Sequence, residues 1–403
     1  MKRYFRLLAA VLALALSTAS FGAKRAKYVF LFIGDGMSFS SVSLAEAYLA
    51  QGRGVIGNDP LAFTQFPVLG MATTYSASNP ITCSSAAGTA LATGTKTKNH
   101  MLGIAPDSTT RLVSIAYKAH DAGYKVGITS TVQLNHATPA AFYGHNVERN
   151  AYYEIGKELP LSGFEFFGGG GFLHVKGKNK NLPSLYEDVE KNGYVIARGI
   201  DEFEAKKGDK IMLTAKKNYD EVLPYALGRK ESDLTLAQVV DAAIRTVDNR
   251  KGFFIMAEGG KIDFAAHSNN TIGTITEIID MDEAVKVALD FYSKHPKETL
   301  IVITADHETG GVSLGAKKGY VYDLTVYDGI KEDASTTNVD EYMNDKVVMK
   351  EQSEKARIGW TTTSHCGGAV PVWAIGAGSE MFAGRQDNTD IPRKICKAMG
   401  IKF

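Results

Sequence analysis

Cysteine is scarce. The 403 residues contain three, Cys83, Cys366 and Cys396, too few and too odd in number for a disulfide framework. Two of them flank candidate active-site residues, and no structural disulfide is expected. Net charge is nearly absent as well: 45 Lys and Arg against 44 Asp and Glu leave +1. That balance gives no electrostatic reason to expect nucleic acid or an anionic membrane as partner. No apolar run is long enough to span a bilayer. Internal repeats and low-complexity tracts are missing too. What remains, 44% hydrophobic and 22% charged, is the composition of an ordinary globular chain with room for a large core.

The N-terminus departs from that average. Lys2, Arg3 and Arg6 precede an apolar run from Leu7 to Leu16, and Ser17 to Ala23 is mostly small. A basic start, a short apolar middle and a small-residue end read as a secretory signal peptide over 1–23, cleaved after Ala19 or, second choice, after Ala23. The expectation is export across the inner membrane to the periplasm or beyond, with no stable membrane span. Residues 24–403 then form the working domain.

Tyr28 to Ile33 is a continuous apolar run stopped at Gly34-Asp-Gly36, the signature of a strand buried on both faces. Similar runs recur at 126–131, 253–257, 299–305 and 370–375. Helical patterns fall between them, at 236–248 and 274–292. Strands alternating with helices predict an α/β fold with a mostly parallel sheet. The glycine run Gly168 to Gly171 reads as a turn after a strand. From Leu314 to about Arg357 the chain turns polar and charged, which suggests an insertion (about 314–357) over the site or at an interface.

The stretch from Ile81 to Ala90 holds Ser84 at the expected entry of a helix stopped by Gly94. Unpaired N–H groups and the helix dipole make that entry a suitable place for a phosphate oxygen. Carboxylates and histidines also gather at strand ends, where α/β sheets bind ligands. Asp35 follows the first strand, and His136 and Thr138 lie past the second. Glu258 ends the third run, and Asp306-His307 follow the fourth. Asp263 and His267, spaced i, i+4, share a helix face and make a plausible zinc pair. His365 sits among small residues before the last strand. Asp35, Glu258 and the Thr138 hydroxyl are hard oxygen donors of the kind magnesium prefers.

Taken in order, these stretches resemble the alkaline phosphatase family, in the superfamily shared with sulfatases and nucleotide pyrophosphatases. The resemblance runs over nearly the whole chain after the signal. It rests on Gly34-Asp-Gly-Met37, the Ser84 stretch, His136-Ala-Thr-Pro139, His145-Asn-Val-Glu-Arg149, Glu258-Gly-Gly-Lys-Ile-Asp263 with His267, Asp306-His-Glu-Thr-Gly-Gly311 and Thr363-Ser-His365. It implies a three-layer α/β/α sandwich and a phosphomonoesterase acting on small phosphate monoesters through phosphoserine at Ser84. It also implies two zinc ions and one magnesium ion. Asp263, His267 and His365 would hold one zinc, and Asp35, Asp306 and His307 the second. Asp35, Thr138 and Glu258 would hold magnesium, with His136 as a further ligand or a neighbour of that site. Arg149 would grip the phosphoryl oxygens. Relatives are commonly homodimers, and the resemblance leaves that open here.

Three departures stand out. Cys83 replaces the aspartate that many relatives carry before the nucleophile, removing a partner for Arg149. His136 replaces an aspartate found near magnesium in some relatives, which favours zinc or a water-mediated magnesium there. Phe264 and Ala266 stand where relatives often have polar residues, so one contact to phosphate is expected to be missing. Two rival readings are a phosphodiesterase of the same superfamily and a non-enzymatic zinc- or phosphate-binding protein. A sulfatase is disfavoured, because Cys83 lacks the proline and arginine its motif needs.

Overall fold

The computed structural model describes residues 25–216, 222–330, 342–343 and 345–403. The expected signal peptide lies outside the described residues, as does 331–341 of the expected insertion. Among the described residues fourteen strands appear. Those that matter first are β1 (Tyr28–Gly34), β2 (Val68–Thr73), β3 (Lys125–Ser130), β4 (Phe166–Gly169), β5 (Val195–Arg198), β6 (Ile211–Thr214), β7 (Phe253–Gly259) and β8 (Thr299–Ala305). After them come β9 (Glu308–Thr309), β10 (Val312–Leu314), β11 (Ile358–Trp360), β12 (His365–Cys366), β13 (Val370–Gly376) and β14 (Gly384–Asp387).

Ten of these make one sheet in the order β14-β2-β13-β8-β1-β7-β3-β4-β6-β5. β1, β7 and β8 are buried at every residue, as their unbroken apolar runs require. Their register aligns Gly34 with Gly259 and with Ala305, so the carboxyl ends of all three strands finish at one edge. β3 ends beside them, Ser130 facing Glu258. β13 is the exception. It runs antiparallel to both β8 and β2, so its amino end, not its carboxyl end, lies at that edge. This is how His365, which precedes β13, reaches the same place as residues that come after parallel strands.

The helices used below are α1 (Phe39–Gly52), α2 (Ser84–Thr93), α3 (Ala137–Ala140), α4 (Leu236–Val247), α5 (Lys261–His267), α6 (Thr271–Lys294), α7 (Lys346–Ala356) and α8 (Asp390–Met399). α6 packs on α1, α4 and α5, while α2 packs on α3 and α8; α4, α6 and α3 each lie against the sheet. Two helical groups with a sheet between them make an α/β/α sandwich. α4 starts in a capping box, Thr235 accepting from Gln238 N and Gln238 accepting from Thr235 N. Its buried stripe includes Val239, Val240, Ala243 and Val247.

α6 is longer than its apolar period predicts and is buried on more than its apolar face. Asp282 accepts from the backbone N–H groups of Ala62 and Phe63, and Asp280 pairs with Arg229 at 2.5 Å. Asp282 is satisfied by its backbone donors and Asp280 is offset by the Arg229 charge, and buried carboxylates are tolerated when compensated in this way. The glycine run differs from expectation: Gly168 and Gly169 belong to β4 itself. Gly169 has φ 155°, and a Cβ there would meet the Ser130 carbonyl oxygen at 2.3 Å, so a side chain would push β3 away.

Candidate metal and nucleophile site

Ser84 opens α2, with Cys83 as the extended residue before it and Gly94 in left-handed conformation closing the helix. The helix is made of small residues because it must approach α3 closely. A Cβ on Gly88 would meet Ala141 Cβ at 3.2 Å and Thr138 Cα at 3.3 Å. The same contact brings Thr138 to the site, its hydroxyl 3.2 Å from Asp35 Oδ2. Ser84 is 2% exposed and its Oγ lies 3.2 Å from His307 Nε2.

Around it, three groups of metal-ligating side chains form, each with its donor atoms within 4.8 Å of one another: Asp263, His267 and His365; Asp35, Asp263 and His307; and Asp35, His136 and Glu258. Asp306, expected beside His307, is there as well, with Oδ2 at 3.1 Å from His307 Nε2. The structure therefore brings together every residue proposed as a metal ligand. Asp35 is shared by two groups, as a bridging carboxylate would be.

The donor chemistry fits divalent cations. His267 donates from Nδ1 to the Thr363 carbonyl at 2.7 Å, and His365 from Nδ1 to the Thr82 carbonyl at 2.9 Å. With those protons spent, the neutral rings would both present Nε2 lone pairs, and these atoms face each other at 3.2 Å. Asp263 Oδ2 stands 3.3 Å from one of them, His267 Nε2. Three electron-rich atoms converging on one point call for a cation between them. The neighbouring groups repeat the pattern. Among the described residues, Asp35 Oδ1, Glu258 Oε1, Asp306 Oδ2 and His136 Nδ1 are buried without a hydrogen-bond partner.

Titration carries the same message. Burial, then the nearby Asp306, holds Asp35 well above the ordinary carboxylate range. Burial lifts Glu258 to about 8. Burial would raise Asp263 too, but its hydrogen bond with His267 and the nearby His307, His267 and His365 charges together outweigh it and keep the carboxyl low. The same bond lifts His267 to about 9, while burial and then His307 draw His365 down to about 4. His136 falls to about 3 through burial and then the Arg149 charge. A site that distributes protons so unevenly among buried carboxylates and imidazoles is one built for positive charge.

Arg149 lies beside these groups, Nη2 at 3.3 Å from His136 Nε2. The alternative of a surface ion pair with Glu148 or Glu154 does not form: Glu148 accepts from Asn150 N instead. Cys83 makes no partner for the guanidinium of the kind an aspartate would. Its sulfur accepts from His100 N at 3.1 Å and touches Ser85 Oγ at 3.1 Å. Phe264 packs edge-on to His136 with ring centres 5.7 Å apart. All three cysteines are free thiols.

Sequence reasoning missed the residues that hold the ligands. Ser130 donates to Glu258 Oε2, and Thr309 donates to Asp263 Oδ1 at 2.6 Å. Gly36 N donates to Asp306 Oδ1 at 3.1 Å. β9 pairs with β12, His365 opposite Thr309, and so ties the late histidine to the Asp306-His307 turn. Thr309 belongs to one of the stretches that carry the family resemblance, but nothing in one sequence marks it as the acceptor for His307 Nδ1, which it faces at 3.2 Å.

Comparison with known proteins bears on the family and the fold. The family model described as alkaline phosphatase matches residues 26–165 and 177–401. The chain is 31% identical to alkaline phosphatase 3 of Bacillus subtilis, over 93% of this chain and 89% of that one. Its fold is similar to the alkaline phosphatase of the Antarctic bacterium TAB5, with a TM-score of 0.77, 28% identity, and 94% of this chain and 100% of that chain covered. A TAB5 mutant with a histidine changed to glutamate holds magnesium in its M3 site; against it the TM-score is 0.75 and identity 30%, with 94% and 100% covered.

Proposed function

The chain belongs to the alkaline phosphatase family, and from that premise we propose that this metal-dependent phosphatase hydrolyses phosphate monoesters through a phosphoserine at Ser84. The observation that carries the reading is Ser84 Oγ at the buried entry of α2, 3.2 Å from His307 Nε2 and beside three converging donor groups. We assign Asp263, His267 and His365 to one zinc ion, and Asp35, Asp306 and His307 to the second. Asp35, Thr138 and Glu258 would hold magnesium. Cations bound there would supply the positive charge that favours a deprotonated serine and stabilises the attacking and leaving oxygens.

The chain's own residues do the rest. Ser84 presents its oxygen at the amino end of α2, where unpaired N–H groups face the phosphoryl oxygens. Arg149 offers a planar fork for two of those oxygens. Ser84 Oγ forms the bond to phosphorus as the ester oxygen departs on the opposite side, and water then cleaves the phosphoserine. His136 makes the third group poorer in negative charge than an aspartate would, which supports zinc or a water-mediated magnesium there.

Further parts of the reading rest on sequence. Export is inferred from the pattern of 1–23, with 24–403 as the working domain and about 314–357 as an insertion. No described helix is long and apolar enough to cross a membrane. A homodimer remains the expectation from relatives. The deciding experiment is Ser84→Ala. It should keep its bound zinc and lose p-nitrophenyl phosphate hydrolysis by several orders of magnitude, and chelator should abolish wild-type activity until zinc is restored. Full activity in Ser84→Ala would remove the phosphoserine from the mechanism.

A further inference from the structure

The segment 99–102 joins the Ser84 stretch to the loop that carries Arg149. At one end the Asn99 side chain brackets the residues before the nucleophile. Its Nδ2 donates to the Ile81 carbonyl at 3.0 Å, and its Oδ1 accepts from Cys83 N at 3.1 Å. At the other end Leu102 exchanges two backbone hydrogen bonds with Asn146, each 2.8 Å long. His100 stands between these ends. Its N–H donates to Cys83 Sγ at 3.1 Å, and its carbonyl accepts from Arg149 N at 2.8 Å.

His100 is exposed, yet its φ is 71°, in the left-handed region that glycine enters freely and other residues enter at a cost. A residue persists there only where its surroundings over-determine the backbone, and such positions cluster at functional sites. Both constraints on His100 are backbone hydrogen bonds to the site. Its two torsions set the angle between the peptide that donates to Cys83 and the peptide that accepts from Arg149. Cys83 offers the guanidinium no carboxylate, and its sulfur reaches Arg149 through His100 instead.

We propose that Asn99 and His100 are positioning residues for phosphate binding. The strap they form sets how Arg149 stands to Ser84, through the left-handed backbone of His100 and not through its side chain. This inference rests on Arg149 as the group that grips the phosphoryl oxygens.

The test reads how inorganic phosphate inhibits p-nitrophenyl phosphate hydrolysis by the zinc-loaded enzyme. His100→Val disfavours the left-handed backbone. It should weaken inhibition about 3- to 30-fold, with zinc content unchanged. His100→Gly keeps both backbone bonds and should match wild type. Asn99→Ala unties the other end and should behave as His100→Val does, so either variant carries the test if the other fails to fold. Each is then combined with Arg149→Ala. Residues that act through one arginine lose their effect once it is gone, so the strap variants should add nothing in that background. Inhibition unmoved by both strap variants, an equal loss in His100→Gly, or a loss that persists without Arg149 overturns the strap. An unchanged inhibition constant in Arg149→Ala alone would instead remove the clamp itself, and the inference with it.

Discussion

Thr309 holds Asp263. Its hydroxyl donates to Oδ1 at 2.6 Å and faces His307 Nδ1 at 3.2 Å, so one side chain fixes a carboxylate in one donor group and the tautomer of a histidine in the next. Hydrogen-bonded partners of this kind tune metal affinity. Thr309→Val keeps the shape and removes both bonds. Zinc affinity, measured by competition with a chromogenic chelator, should fall about 10- to 100-fold. Thr309→Ser should recover most of it. Unchanged affinity in Thr309→Val would show that Asp263 needs no such support.

Arg149 is the group assigned to phosphate. Removing a charge-assisted bidentate contact costs about 1.5–3 kcal/mol, which is about 10- to 100-fold in affinity. Arg149→Ala should raise KM and weaken inhibition by inorganic phosphate by that factor. Because Cys83 does not pair with the guanidinium, Cys83→Asp should tighten phosphate inhibition. Inhibition constants that do not move in either variant would place the clamp elsewhere.

His136 sets the third donor group. With burial and Arg149 holding its imidazole neutral, it offers nitrogen where a carboxylate would offer charge. His136→Asp should raise the magnesium content of purified protein and lower its zinc content. Elemental analysis after dialysis against both metals would show it. An identical metal ratio in variant and wild type would rule the side chain out as the selector.

Acid stability can be read at Asp387, far from the metal ligands. Burial would raise its pKa, but the Thr389 N–H and hydroxyl, then Lys96, overcome this and lower it. Thr73 donates to the same carboxylate at 2.9 Å, and Lys96 lies 3.1 Å away. A depressed folded pKa contributes stability that is complete above the unfolded value of about 4 and lost as pH falls through the folded value. Asp387→Asn should therefore lower Tm by a few degrees at pH 7, and the gap should close below about pH 4. A gap of constant size across that range would mean the charge contributes nothing.

Five of the fourteen described strands, the centre of the sheet among them, were legible in the chain as apolar runs. Runs such as Tyr28 to Ile33 and Thr299 to Ala305 are apolar without break, and only a strand covered on both faces uses such a run. The candidate site was legible because parallel strands deliver their C-terminal neighbours to one edge, so Asp35, Glu258 and Asp306 could be grouped before any coordinates. α7 was hidden by a polar composition with little apolar period. Compensated carboxylates on α6 were hidden because partners such as Arg229 and the Ala62 N–H lie far off in sequence.

The sequence alone determined the α/β alternation, the helix at Ser84 and the identity of the donors, since these depend on local pattern and on side-chain chemistry. Tertiary structure decided which donors face which. The antiparallel course of β13 brings His365 onto His267, and β9 and β12 lock it to Thr309. Those relations join residues about a hundred positions apart or more in several cases, and long-range pairing is set by how layers pack, which no local period encodes.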